Sequence, residues 1–203
     1  IAGVDGLVEL ADFARARGKR VHLDGARLWN AHVATGVPLS TYGALADTVS
    51  VALSKGLGVP AGSIFAGSED LIAQARRLKH AYGGAMRQSP ALLAAAAMYA
   101  LDHHIARLAD DHRRARAFAA AIADLPCWDV ATPDTNIVVA RVKSPVRSAE
   151  RLCAPLRAAG LRCYPNIARE VRFVFHLGID DEAATTAVDL VRNTVGGDPR
   201  QFA

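Results

Sequence analysis

Leu7, Leu10, Phe13 and Ala14 recur at helical spacing with Gly18 following, which predicts an N-terminal helix and its stop. Residues 21–24 read as a short strand, and 26–34 as a helical piece ending near Gly36. The run 47–53, D-T-V-S-V-A-L, is β-branched and mostly apolar, the pattern of a buried strand. It leads into Ser54-Lys55-Gly56-Leu57-Gly58, and residues 61–66 resemble another strand, closed by Gly67. Ser68 is placed to cap the next helix. That helix carries Glu69 and Asp70 in its first turn and Arg76, Arg77, Lys79 and His80 near its end, so its charges complement the helix dipole. Gly83-Gly84 breaks it. Ser89-Pro90 is a cap and first-turn pair for a long Ala-rich helix. The apolar run 90–101 is too short to cross a bilayer and reads as a buried helix. A further helix covers roughly 105–125.

After Pro126 the texture changes. Residues 128–131, 136–142 and 171–177 read as strands, and 148–159 as a helix that Pro155 is expected to kink or split. Residues 180–195 read as a helix capped by Asp180 or Asp181, and the polar tail 196–203 is expected to fray. This alternation predicts an α/β piece over 1–124 and a small α+β piece over 125–203.

Composition narrows the chemistry. Hydrophobic residues make up 51% of the 203 positions and charged ones 22%, so the chain can bury a core and is not disordered. The formal charge is only +4, with the arginines spread along the chain, which indicates neither a nucleic-acid nor a membrane-surface partner. Cys127, Cys153 and Cys163 show no metal-ligand spacing, and an odd, sparse set fits a reducing, cytosolic compartment. The acidic and histidine residues at 102–104 and 110–112 lack paired ligand geometry and read as solvated helix faces, so no metal site is assigned.

There are only four lysines, so a catalytic amine has four candidates. Lys19, Lys79 and Lys143 have plain surface readings. Lys55 follows a strand, beside Ser54 and between small residues that let a planar ligand approach the backbone. Strand ends are where ligands bind in α/β sheets. A partly desolvated amine there could form a Schiff base with a carbonyl; the alternative is an ordinary turn lysine. Asp24 ends a strand 31 residues earlier and is followed by Arg27 in D-G-A-R. That carboxylate either caps the next helix or pairs with a ring nitrogen, as a pyridoxal phosphate enzyme requires. His22 shares a strand face with Asp24 by the period of two.

H-L-D-G-A-R-L at 22–28 and L-S-K-G-L-G at 53–58 resemble the low-specificity L-threonine aldolases. These belong to the aromatic amino acid β-eliminating lyase/threonine aldolase family of fold-type I pyridoxal phosphate enzymes. G-G-A-M-R-Q at 83–88 and V-R-F at 171–173 follow in the same order. The resemblance implies an α/β fold: part of the large domain, with a mainly parallel sheet flanked by helices, followed by the small α+β domain. It implies Lys55 as the Schiff-base lysine and Asp24 as partner of the pyridinium nitrogen. Arg27 and Arg172 would grip the substrate carboxylate, for which a guanidinium fork is suited. Ser54 and Arg87 would lie near the cofactor phosphate, with Arg87 near a subunit interface.

The implied reaction is retro-aldol cleavage of threonine and related β-hydroxy-α-amino acids to glycine and an aldehyde, in a homo-oligomer (dimer or tetramer) with shared active sites. A β-eliminating lyase of the same family is the alternative chemistry. Family members are longer, and carry a small-residue phosphate loop and a ring stacked on the pyridine before the point where residue 1 falls. Neither is found in 1–203, so the expectation is a fragment, or a truncated, non-catalytic chain whose large-domain sheet keeps an open edge. The base that takes the β-hydroxyl proton is expected outside this stretch, or as a positioned water.

Overall fold

The computed structural model describes residues 2–85 and 89–203, which divide into two compact units, 1–108 and 109–203. In the first unit, α1 (Val4–Arg15) leads into β1 (His22–Asp24), α2 (Leu28–Thr35), α3 (Leu39–Ala44), β2 (Thr48–Ala52), β3 (Ser63–Gly67), α4 (Glu69–Ala81) and α5 (Ser89–His103). The three strands form one sheet in the order β1-β2-β3; β1 pairs with β2 in parallel and β2 with β3 antiparallel.

Most of these elements stand where the pattern places them, and α2 ends at Gly36 in the left-handed conformation (φ 73°) that a side chain would resist. Three expectations change, and one helix carries no sequence signal. The helix α3 has six residues, one of them Gly43, and is too short to show a period. Ser68 occupies the cap position of α4, but its side chain makes no cap hydrogen bond. The strand β2 is half-buried rather than buried, and β3 is exposed. The apolar helix α5 buries one stripe, Ala97 and Ala100, and leaves Leu92 79% exposed, with Met98 and Tyr99 on the outside too. Its start follows undescribed residues, so the cap expected at Ser89 lies beyond what is seen. The core of this unit joins Trp29, Leu53, Leu57, Val59, Ala97, Ala100 and Leu108.

In the second unit the order is α6 (Leu108–Ile122, its first residue shared with unit one), β4 (Trp128–Val130), β5 (Ile137–Val142), α7 (Glu150–Ala158), β6 (Tyr164–Ile167), β7 (Glu170–Val174) and α8 (Asp181–Val195). A short 3-10 turn, Pro199–Phe202, follows. The strands make an antiparallel sheet in the order β4-β5-β7-β6. Alternate residues of β5 and β7 are buried, the signature of a sheet packed on one face. That face carries Val138, Ala140, Val171 and Phe173 against Phe118 and Ile122 of α6, Leu152 and Leu156 of α7, and Val191 of α8. Phe118 meets Phe173 edge-on at 5.0 Å, a favourable aromatic geometry.

The apolar stripe of α6 belongs to the core of the second unit, and the two compact units divide after Leu108. Pro155 sits inside α7 without splitting it. The unread strand β6 is short, contains Pro165 and lies at the sheet edge, the place where a strand tolerates proline. The tail is not frayed, since Phe202 packs against the core. Asp180 caps α8 as read, accepting from the Ala183 amide at 2.8 Å.

Candidate active site

Parallel pairing puts the ends of β1 and β2 on one edge of the sheet. Asp24 is the last residue of β1 and stands opposite Ser50; β2 runs on to Ala52, and the turn holding Ser54 and Lys55 follows. All three of these side chains are exposed. Asp24 Oδ1 accepts from the Ala26 amide at 3.1 Å, so one oxygen shapes the turn into α2 while the group stays exposed. The Gly25 amide donates to the Ser50 carbonyl at 2.7 Å. A Cβ on Gly25 would lie 2.9 Å from that same oxygen, so the D-G step needs glycine for close approach. Arg27 is half-buried and immediately precedes α2.

The lysine turn is anchored on both sides. The Gly58 amide donates to the Lys55 carbonyl at 3.1 Å, with Gly58 at φ 71°. Trp29 Nε1 donates to the Ala52 carbonyl at 3.1 Å, and His104 Nδ1 donates to the Leu57 carbonyl at 2.6 Å. Leu57 is fully buried beneath the turn. Gly56 packs so tightly that a Cβ there would meet Asn30 Oδ1 at 2.9 Å. An exposed amine is thus presented by a backbone that cannot easily shift.

The residues Trp29, Asn30 and His104 do this anchoring and were not read as part of the site. His104 was read as solvated, yet its partner lies 47 residues away, so no local signal marks it. Asp111 and His112 were also read as solvated and are buried in the second unit. Burial, with Arg116 nearby, holds the His112 imidazole below its ordinary value. His22 is tied to Thr48 Oγ1 at 2.9 Å and stacks on Phe65, so it stitches the sheet on the strand face it shares with Asp24.

In the second unit, Arg172 is half-buried on the face of β7 opposite the core, paired in register with Val139 and Tyr164. It lines a cleft of about 360 Å³ together with Arg162, Tyr164, Asn166 and His176. Arg87 lies outside the described residues. Among the described residues no cluster of metal-ligating side chains occurs, and no helix is long and apolar enough to cross a membrane.

The comparisons agree with this architecture. A threonine aldolase from Leishmania major superposes with a TM-score of 0.73 at 18% identity, over 95% of this chain and 56% of that one. The ornithine δ-aminotransferase of Plasmodium falciparum gives 0.67 at 12%, over 96% and 51%. The fold is the α/β one of the fold-type I pyridoxal phosphate enzymes, a partial large-domain sheet followed by a small α+β unit. Within that class the chain belongs to the beta-eliminating lyase family, whose pattern matches residues 1–145.

Its relatives include the low specificity L-threonine aldolase of Escherichia coli K12, 39% identical over 176 residues, 87% of this chain and 51% of the relative. The low-specificity L-threonine aldolase 1 of Arabidopsis thaliana is 35% identical over 171 residues, 83% and 48%. The chain thus spans about half the length of the curated relatives it matches.

Proposed function

We propose that this chain is part of a pyridoxal phosphate-dependent lyase that cleaves L-threonine, L-allo-threonine and related β-hydroxy-α-amino acids to glycine and an aldehyde. The observation that carries the reading is the parallel register of β1 and β2, which brings Asp24 and the Lys55 turn to one sheet edge. The residues present fit the cofactor there. The amine is exposed for its aldehyde, Asp24 keeps an oxygen beyond the one used in the turn, and the tight Gly25 and Gly56 backbones hold both in place.

When bound, the cofactor supplies an electron sink for the pair released as the Cα–Cβ bond breaks. The chain's own groups prepare that step. Lys55 would hold the cofactor through its exposed amine. The Asp24 carboxylate would favour the protonated form of the ring nitrogen. Arg27 and Arg172 bind the substrate carboxylate as guanidinium forks and orient the bond to be cleaved. Ser54 and Arg87 serve the phosphate. We read the protein as a cytosolic homo-oligomer with shared active sites; the three free cysteines, none in a disulfide, support the reducing compartment.

The test is a product assay on the protein with pyridoxal phosphate. Acetaldehyde and glycine from threonine support the reading, and pyruvate and ammonia from a β-substituted amino acid would replace it with β-elimination. A visible absorption band on cofactor addition that Lys55→Ala abolishes supports the lysine assignment; a band that survives in the variant overturns it.

A further inference from the structure

Three arginines of the second unit are half-buried: Arg114, Arg157 and Arg172. Arg114 donates to Asp181 at 2.8 Å, and Arg157 pairs with Glu150. Arg172 has no carboxylate or hydrogen-bond partner among the described residues. A guanidinium taken partly out of water without a counter-ion carries a desolvation cost that a bound anion relieves. Glu170, two residues away on the same strand face, is already engaged: Arg141 donates to it at 3.1 Å and Asn166 at 3.2 Å.

A second unpaired cation stands beside Arg172. Along β7, Val171, Phe173 and then Phe175 are in the core, and Arg172, Val174 and the exposed His176 alternate with them on the other face. Tyr164 pairs in register with Arg172 and so shares that face. Arg162 lies two residues before Tyr164, exposed like it, with buried Cys163 between them; this alternation puts Arg162 diagonal to Arg172. Arg162, Tyr164, Arg172 and His176 line one cleft of about 360 Å³, and among the described residues no Asp or Glu lines it. Arg162 also borders the adjoining cleft that holds Asp180 and Glu182, but forms no ion pair with either. The Gly178 amide donates to His176 Nδ1 at 3.1 Å, which leaves Nε2–H as the ring's donor. A Cβ on Gly178 would meet His176 Cε1 at 3.2 Å, so the ring is held against this turn.

We propose that this cleft binds small dicarboxylates, with one carboxylate on Arg172 and the second on Arg162 and His176. Each guanidinium is a planar fork that matches a planar carboxylate with two parallel hydrogen bonds. Two forks at diagonal positions on separate segments suit two separated charges better than the single centre of a phosphate. The cleft has the size of a small-molecule site. For Arg172 the inference rests on its proposed work as a carboxylate grip; the second anchor goes beyond that reading. A dicarboxylate held in this way occupies the group that would bind threonine, and so competes with it.

The test is an NMR titration of the chain, without pyridoxal phosphate or threonine, with succinate, acetate and inorganic phosphate at constant ionic strength. Succinate should bind about 10-fold more tightly than acetate or phosphate, the scale of one added charge-assisted contact. The amide shifts should concentrate at 162–166 and 172–178. Arg162→Gln should weaken succinate about 10-fold and leave acetate unchanged. Arg151→Gln, at an exposed arginine of α7 outside this cleft, should change neither. Arg162 is exposed too, so its replacement leaves the core intact. Succinate no tighter than acetate, succinate equally tight in Arg162→Gln, or an equal loss in Arg151→Gln would each overturn the proposal. Phosphate as tight as succinate would overturn it as well. Because neither cofactor nor threonine is present, failure here leaves the aldolase reading standing, and failure of the product assay leaves this binding result standing.

Discussion

Asp24 stands opposite Ser50 across two parallel strands, and the Gly25 amide beside it donates to the Ser50 carbonyl at 2.7 Å. The bond locks the end of β1 against a point two residues short of the end of β2. From there β2 continues to Ala52 and turns through Lys55, so the carboxylate and the amine share one edge.

Asp24→Asn should separate charge from structure. The asparagine carbonyl can still accept from the Ala26 amide, so the turn survives while the negative charge is lost. Turnover of threonine should fall on the order of 100-fold, the scale at which losing one preorganised electrostatic partner is felt. The thermal midpoint should stay put. Unchanged kcat would remove Asp24 from its proposed role.

Arg172→Ala should act mainly on KM. A guanidinium that binds the carboxylate contributes equally in ground and transition states. Charge-assisted hydrogen bonds are worth about 1.5–3 kcal/mol, which corresponds to a rise in KM of roughly 10- to 100-fold. Steady-state kinetics read this directly, and an effect confined to kcat would contradict the assignment.

Gly25→Ala and Gly56→Ala should both destabilise, in that order of severity. The new methyl at 25 meets a backbone oxygen at 2.9 Å, which has nowhere to go. At 56 it meets the Asn30 side chain at 2.9 Å and a Leu108 methyl at 3.0 Å, which can give slightly. Overpacking of this kind costs about 1–3 kcal/mol. Urea denaturation should place Gly25→Ala below Gly56→Ala; the reverse order would show that the β1–β2 approach is softer than its geometry implies.

His112 should make stability fall on mild acidification. Burial lowers its folded-state pKa beneath the ordinary value of 6.5. Between the two values the unfolded chain binds more protons, so stability is complete above about 6.5 and is lost as pH falls toward the folded value. Denaturation midpoints at about pH 7.5 and about pH 5.5 should differ more in the wild type than in His112→Gln. Equal slopes would exclude this histidine as the source.

The long elements were legible because their patterns are local. The apolar repeat of α1, the glycine after α2 and the Asp180 cap of α8 each act within a few residues, and the structure places them as read. The helix α3 and the strand β6 were not legible: one is too short for a period, and the other contains a proline that only an edge position excuses. The solvent reading of Asp111 and His112 failed for a related reason, since polar residues on a helix report their chemistry and not what packs over them.

The sequence by itself determined two strand ends carrying Asp24 and Lys55, and the resemblance that named Arg27 and Arg172. Tertiary structure alone decided that the two strands run parallel in the register that aligns those ends. It also decided that Trp29, Asn30 and His104 hold the lysine turn. The division has a physical cause. Period, propensity and capping act along the chain, whereas register and long-range hydrogen bonds depend on which distant segments come together in space.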